Sequence, residues 1–321
     1  LEAALAQTCE RVAAGVRRLI PANELEGLLL AGGYGRGEGG VLRTPDGDKP
    51  YNDMEFYVFV QGFDFLIERK YRSSLHELGE ELSPAAELEV EFKAMTLDKL
   101  RKSPVNMFYY DIALGHRWVL GDDKLLSGCE QHQDPSGIPL HEATRLMFNR
   151  CSGLLYSKVR LLEQNLSQTD ADFVSRNCAK AKLAFGDALL AANGRYHWSA
   201  RERGKRLAES IPNFDADLLA AIRRHHAVGV DFKLYPKQSD NDVGTLRQEH
   251  AELCELGARL WLWIEEQRLA ESFASPLAYA LSDIDKCPET SALRNRLVNA
   301  KAFGFTAALK PSAARYPRER L

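Results

Sequence analysis

Residues 26–31 read EGLLLA, 32–40 GGYGRGEGG, 41–50 VLRTPDGDKP and 51–60 YNDMEFYVFV, and the alternation of these four pieces decides the fold. EGLLLA is a short apolar run that stops at glycine, the pattern of a buried strand. The next nine positions hold six glycines and read as a turn or loop. Residues 41–50 read as a polar surface excursion, with Pro45, Asp46 and Gly47 marking a turn. YNDMEFYVFV is rich in aromatic and β-branched residues and reads as a second strand. The period of two along a strand puts Asp53 and Glu55 on one face.

Two carboxylates on one face repel each other unless a cation neutralises them. Hard oxygen ligands of this kind suit Mg²⁺, which takes one or two carboxylates together with substrate phosphates. The glycines just before them let backbone N–H groups approach a phosphate closely. A third acid is expected from residues 86–95, AELEVEFKAM, where Glu87, Glu89 and Glu91 alternate with Leu88, Val90 and Phe92. Three carboxylates on adjacent strands would complete a two-metal site for in-line displacement at phosphorus.

Outward from this centre, residues 1–19 have helical spacing and stop before Pro21. Residues 64–82 read as a helix, 86–95 as a strand, 96–102 and 104–114 as short helices and 116–120 as a small strand. Beyond about residue 140 strand signals nearly vanish. Helical patterns run at 141–166, 170–194, 199–210, 214–228, 244–272, 276–284 and 289–304, with 229–243 as a polar loop and 308–321 as a mobile tail. The expected class is α+β: a mixed β-sheet with flanking helices over 1–135, then an all-α helical bundle over 136–321.

The chain has 321 residues, 45% hydrophobic and 27% charged, ordinary for a globular protein. With 42 basic and 45 acidic residues, its net charge of -3 gives no global case for nucleic-acid or membrane binding. The six cysteines are scattered, without a C-x-x-C pair, and read as free thiols. No uncharged apolar run approaches the roughly 20 residues that span a bilayer. The first 20 residues, with Glu2 and Glu10, read as an amphipathic helix and not as a signal peptide. A cytoplasmic location is the resulting expectation.

An apolar strand, then Gly32-Gly33-Tyr34-Gly35-Arg36-Gly37-Glu38-Gly39, then Asn52-Asp53-Met54-Glu55 in an apolar strand, resembles the polymerase β-like nucleotidyltransferases. The layout, catalytic part first and helical part second, is similar to kanamycin nucleotidyltransferase and other aminoglycoside adenylyltransferases. The resemblance covers roughly residues 25–125, with a weaker one over 178–197. It implies that Gly32 and Gly33 hold the triphosphate by backbone N–H, and that Asp53 and Glu55 bind magnesium with Glu91, or alternatively Glu89, as the third carboxylate. It further implies that Lys182 and Tyr196 close over the triphosphate, with Asp187 orienting one of them or contacting the acceptor. Two departures stand out: Gly33 occupies the usual place of a serine, and the 41–50 excursion lengthens the path to Asp53. The implied reaction moves a nucleoside monophosphate from ATP or another NTP to an acceptor hydroxyl on a small molecule or protein, releasing pyrophosphate. A catalytically silent nucleotide binder and a toxin–antitoxin-type interaction protein are the alternatives.

For Arg36, the residues leave phosphate binding and bracing against Glu38 both open. Arg223-Arg224-His225-His226 reads as positive charge gathered at a helix C-terminus.

Overall fold

A computed structural model describes residues 1–163, 165–209, 211–239 and 242–317. The chain divides into two compact units, Leu1–Leu260 and Trp261–Leu321, and the boundary falls inside a helix.

The first unit opens with α1 (Glu2–Leu19), which ends where Ile20 turns extended ahead of Pro21. Strand β1 (Leu25–Leu30) runs into a single helical turn, α2 (Gly32–Gly35). Strands β2 (Gly40–Thr44) and β3 (Gly47–Tyr51) follow, then β4 (Asp53–Val60), α3 (Asp64–Ala86) and β5 (Glu89–Met95). Two short helices, α4 (Leu97–Lys102) and α5 (Met107–Leu114), lead to β6 (Arg117–Leu120). After three 3-10 turns come α6 (His141–Leu161), α7 (Gln168–Ala192), α8 (Ala200–Ala208), α9 (Ala216–Leu234) and α10 (Val243–Leu269). The second unit continues with α11 (Pro276–Leu281), α12 (Ala292–Phe303) and α13 (Phe305–Ala308). The architecture is α+β, a small mixed sheet with flanking helices followed by a helical region. Among the described residues no helix is long and apolar enough to cross a membrane.

The sheet has the order β5-β4-β1-β6. Strand β1 lies antiparallel to both β4 and β6, and β4 lies parallel to β5. Alternation gives each face its own core. Leu28, Leu30, Met54, Phe56, Val58 and Val60 pack under α1 and α3, meeting Val12, Val16, Tyr71 and Leu75. Leu29, Tyr57 and Phe59 face the other way, onto Leu97, Leu100, Tyr109 and Ile112 of α4 and α5. Each such side chain contributes about 1.5–3 kcal/mol on burial. In the helical region α7 packs against α6, α8 and α9.

The structure departs from the sequence reading in three places. Residues 41–50 form no loop: β2 and β3 pair as a hairpin from Gly40↔Tyr51 to Thr44↔Gly47. A ladder of backbone bonds offsets the polar composition that suggested irregular chain. Helix α3 runs on through Pro84 to Ala86 and ends with Glu87 in a left-handed conformation, φ 56°. Glu87 is thus a helix cap, and the strand begins only at Glu89. Helix α9 reaches Leu234, which puts His225 and His226 in mid-helix and not at its C-terminus. In the tail, Pro311–Ala314 forms a 3-10 turn, while residues 318–321 lie outside the described residues.

Tyr34 holds the base of the hairpin. Its hydroxyl accepts from Tyr51 N–H at 2.8 Å and donates to the carbonyl of Gly40 at 2.9 Å. A side chain at Gly39 would overlap the Tyr34 ring. Gly39→Ala is therefore expected to lower stability by about 1–3 kcal/mol, read as a lower urea midpoint with an unchanged slope.

Candidate active site

Strand β1 delivers the glycine turn directly beside the acids. Ala31 N–H donates to the Glu55 carbonyl at 2.8 Å, extending the β1–β4 pairing to the edge of the turn. Gly32 has φ +62°, a conformation that L side chains rarely adopt. A Cβ built there would lie 2.5 Å from Glu55 Oε1. The Glu55 carboxylate thus rests on the bare α-carbon of Gly32. Gly33 is fixed differently: a Cβ would come 3.1 Å from the Glu38 carbonyl and 3.2 Å from Gly39 Cα, because the loop folds back over it. That crowding accounts for glycine where a serine was the usual expectation. Gly32 and Gly33 open the α2 turn, so their N–H groups belong to the set that a helical turn leaves without internal partners.

The parallel register sets Asp53 beside Glu89 and Glu55 beside Glu91. Register partners in a parallel pair point to the same face, so two strands present four carboxylates together. Tyr57 follows on that face, and its hydroxyl donates to Glu55 Oε2 at 3.4 Å. Among the described residues no lysine, arginine or histidine lies within ion-pair distance of these four acids. The mutual repulsion is visible in the pKa directions. Desolvation first, and then the charges of Asp53, Glu89 and Glu55, push the Glu91 carboxyl up. Burial, with Glu55, Glu91 and Asp53 adding to it, raises the Tyr57 phenol and keeps it a hydrogen-bond donor.

Oxygen-only, uncompensated acids are the donor set that suits a hard divalent cation. Asp53, Glu55 and Glu91 would hold it. Among the described residues no three His, Cys, Asp or Glu side chains are drawn into a ready-made metal cage.

Cations come from the helical region. Partial desolvation and the neighbouring Arg150 and Arg176 push the ammonium of Lys180, on the exposed side of α7, down from the usual lysine range, and the charge of Asp53 opposes them. Arg150 on α6 is pushed down by desolvation. Neither Lys180 nor Arg150 has a hydrogen-bonding or ion-pair partner among the described residues.

The other residues singled out by sequence serve different ends. Lys182 pairs with Glu249 of α10 and is buried. Tyr196 is buried, donates to Asp111 Oδ2 at 3.3 Å and accepts from Arg203 at 3.3 Å. Asp187 lies in the same interior group, with Arg203 Nε at 2.6 Å and His226 Nε2 at 3.1 Å. It orients Tyr196 only through Arg203. The structure therefore brings Gly32, Gly33, Asp53, Glu55, Glu89 and Glu91 together, and places Lys182 and Tyr196 in internal pairs instead. Lys180, two positions before Lys182, is solvent-exposed and feels the charge of Asp53. A spacing of two puts Lys180 and Lys182 on different helix faces, and only packing of α7 decides which face is inside.

Arg36 does not brace against Glu38. It reaches Asp111 on α5 at 2.8 Å. Asp111 Oδ1 and Arg36 Nε lack protein partners among the described residues, so the pair is single-pronged. Burial, opposed by Arg36, leaves the Asp111 carboxyl pushed up to about 6. Glu38 caps α8: its carboxylate accepts from Ser199 Oγ at 2.6 Å and from the N–H groups of Ala200 at 2.7 Å and Arg201 at 3.3 Å. Both charged residues of the glycine loop thus anchor it to other elements.

Comparison of the chain with protein-family models, with curated proteins and with solved structures finds no match.

Desolvation raises the Glu38 carboxyl, but the Ser199, Ala200 and Arg201 donors outweigh it and the net direction is down. A lowered folded-state pKa means stability that is present above the unfolded value, about 4.3, and lost as pH falls through the folded one. Glu38→Gln should flatten that acid limb of the stability–pH curve. At neutral pH, Glu38→Ala should cost about 1–3 kcal/mol, both measured by chemical denaturation across pH 3–7.

Proposed function

We propose that this protein is a magnesium-dependent nucleotidyltransferase that moves a nucleoside monophosphate from an NTP, ATP in the first instance, to an acceptor hydroxyl. One observation carries the reading. Four carboxylates on β4 and β5, none of them in an ion pair among the described residues, share a face whose Glu55 lies against Gly32, and unpaired Lys180 supplies opposite charge near Asp53. Such an arrangement is electrostatically incomplete, and a polyphosphate with its divalent cation would complete it.

In this reading Asp53 and Glu55 hold the magnesium, with Glu91 as third carboxylate. Magnesium would supply neutralisation of the phosphates and activation of the attacking oxygen. Gly32 and Gly33 donate backbone N–H bonds to phosphate oxygens, and the missing side chain at Gly32 leaves room for Glu55. Lys180 and Arg150 offset charge that builds on the phosphates and the departing pyrophosphate. Tyr57 fixes the Glu55 carboxylate by its hydrogen bond. The acceptor oxygen bonds to the α-phosphorus, the bond to pyrophosphate breaks, and the hydroxyl proton passes to solvent.

Isothermal calorimetry with ATP, with and without Mg²⁺, is the test. Binding should require Mg²⁺ and weaken at least tenfold in Asp53→Asn, about 1.4 kcal/mol. Lys180→Ala should likewise weaken ATP binding. Lys182→Ala should leave ATP affinity near the native value and lower stability instead, since it leaves Glu249 without its cation. Absence of Mg²⁺-dependent ATP binding in the native chain would remove the basis of the proposal. Binding without pyrophosphate release across an acceptor screen would make the protein a silent nucleotide binder.

A further inference from the structure

Helix α12, in the second compact unit, is polar on its inside and apolar on its outside. Its buried residues are Asn295 and Asn299. The Asn295 amide donates to Thr290 Oγ1 and to the Ala314 carbonyl, both at 2.8 Å. The Asn299 amide donates to the Ala313 and Arg315 carbonyls, both at 3.2 Å. These bonds fix the rotation of the helix, because turning it would strand buried amides without partners. The outer side is left to Leu293 and Leu297, four positions apart and therefore on one face, with exposed Val298 next in sequence. Leu293 and Leu297 are 71% and 66% exposed, and at α13 Phe305 and Leu309 are 76% and 68% exposed. A water-facing surface rarely gathers large apolar side chains in this way without a use for them.

Charge decides what covers this face. From Thr290 to Pro317 the chain carries five basic residues, Arg294, Arg296, Lys301, Lys310 and Arg315, and no acid. The net charge of -3 for the whole chain conceals that block. Arg296 is taken up by the Ala308 carbonyl and Arg315 by Asp283, whereas exposed Arg294, Lys301 and Lys310 are in no ion pair among the described residues. A second copy of the chain would press these cations against themselves, and a nucleic-acid backbone would leave the leucines in water. Leucine and phenylalanine flanked by free lysine and arginine suit a surface that is apolar below and anionic above. We propose that the second unit binds the surface of an anionic phospholipid bilayer through the outer face of α12 and the α13 turn. Leu293, Leu297 and Phe305 enter the acyl boundary, and Arg294 and Lys301 meet the phosphates. Their long stems let the charged heads reach back to headgroup level. A pocket of about 360 Å³, lined by Phe303, Thr306, Ala307 and Lys310, lies at α13 and joins an apolar wall to one cation, as the two ends of a phospholipid require. The 12 residues of α12 span about 18 Å, short of the roughly 30 Å hydrocarbon core, so the helix lies on the bilayer and does not cross it. The proposal stands apart from the nucleotidyl-transfer reading, which concerns the first unit.

Sedimentation of the full chain with vesicles tests this. The protein should pellet with phosphatidylcholine vesicles in which about one lipid in three is phosphatidylserine, and stay in solution with phosphatidylcholine alone. Raising the ionic strength from about 0.1 to 0.5 M should weaken that binding, because the Debye length shrinks. Lys301→Glu replaces an attracted charge by a repelled one and should lower vesicle affinity about tenfold. Leu297→Ser removes buried apolar surface only on the vesicle and should lower it by about as much. Both side chains are exposed, so both variants should keep the native urea midpoint. Equal binding to both kinds of vesicle, or to neither, overturns the proposal. So does full vesicle binding by Leu297→Ser. A native chain that sediments as a dimer in ultracentrifugation, and as a monomer once Leu297→Ser is introduced, gives the face to a second copy and overturns it as well.

Discussion

Like charge held together on two adjacent strands is the constraint around which this chain is arranged. Asp53, Glu55, Glu89 and Glu91 share one face by parallel register, and no cation of the described residues pairs with them. Like charges on one face repel, and the neighbourhood is built to tolerate them. Glu55 lies over the bare α-carbon of Gly32 and takes the Tyr57 hydroxyl. Lys180 stands close enough to interact with Asp53 without pairing to it. The hydrophobic faces of β4 supply the rigidity that keeps the acids together: Met54, Phe56 and Val58 are buried on one side, Tyr57 and Phe59 on the other.

The glycine loop is the second device. Its glycines give it close approach to Glu55, and its two charges give it fixed position. Arg36 ties it to α5 through Asp111, and Glu38 ties it to α8 through the helix N-terminus. A loop with six glycines would otherwise lose much conformational entropy on ordering. Ion pairing and capping at Arg36 and Glu38, with the Tyr34 clamp ahead of them, offset that cost. The interior group of Asp111, Tyr196, Arg203, Asp187 and His226 continues from Arg36 into α7 and α9. The loop beside the acids and the helix that carries Lys180 are therefore parts of one bonded framework.

What the sequence by itself determined is what depends on local pattern. Period-two alternation placed Asp53 and Glu55 on one face, and glycine punctuation ended β1. Helical spacing after residue 140 separated the two kinds of structure. Local pattern misled where backbone pairing or packing overrode composition: the polar stretch 41–50 became a hairpin, Glu87 became a helix cap, and α9 carried His226 into the interior. Tertiary structure alone decided the rest. Sequence favoured Glu91 with Glu89 as the alternate, and the β4–β5 register set Glu91 beside Glu55 and Glu89 beside Asp53. It offered Lys182, and the packing of α7 turned Lys182 inward to Glu249. Arg36 and Glu38 found Asp111 and α8, 75 and more than 160 positions away. A helix or strand records its own periodicity in its residues, but its rotation and register against its neighbours are fixed only by the contacts that bury it.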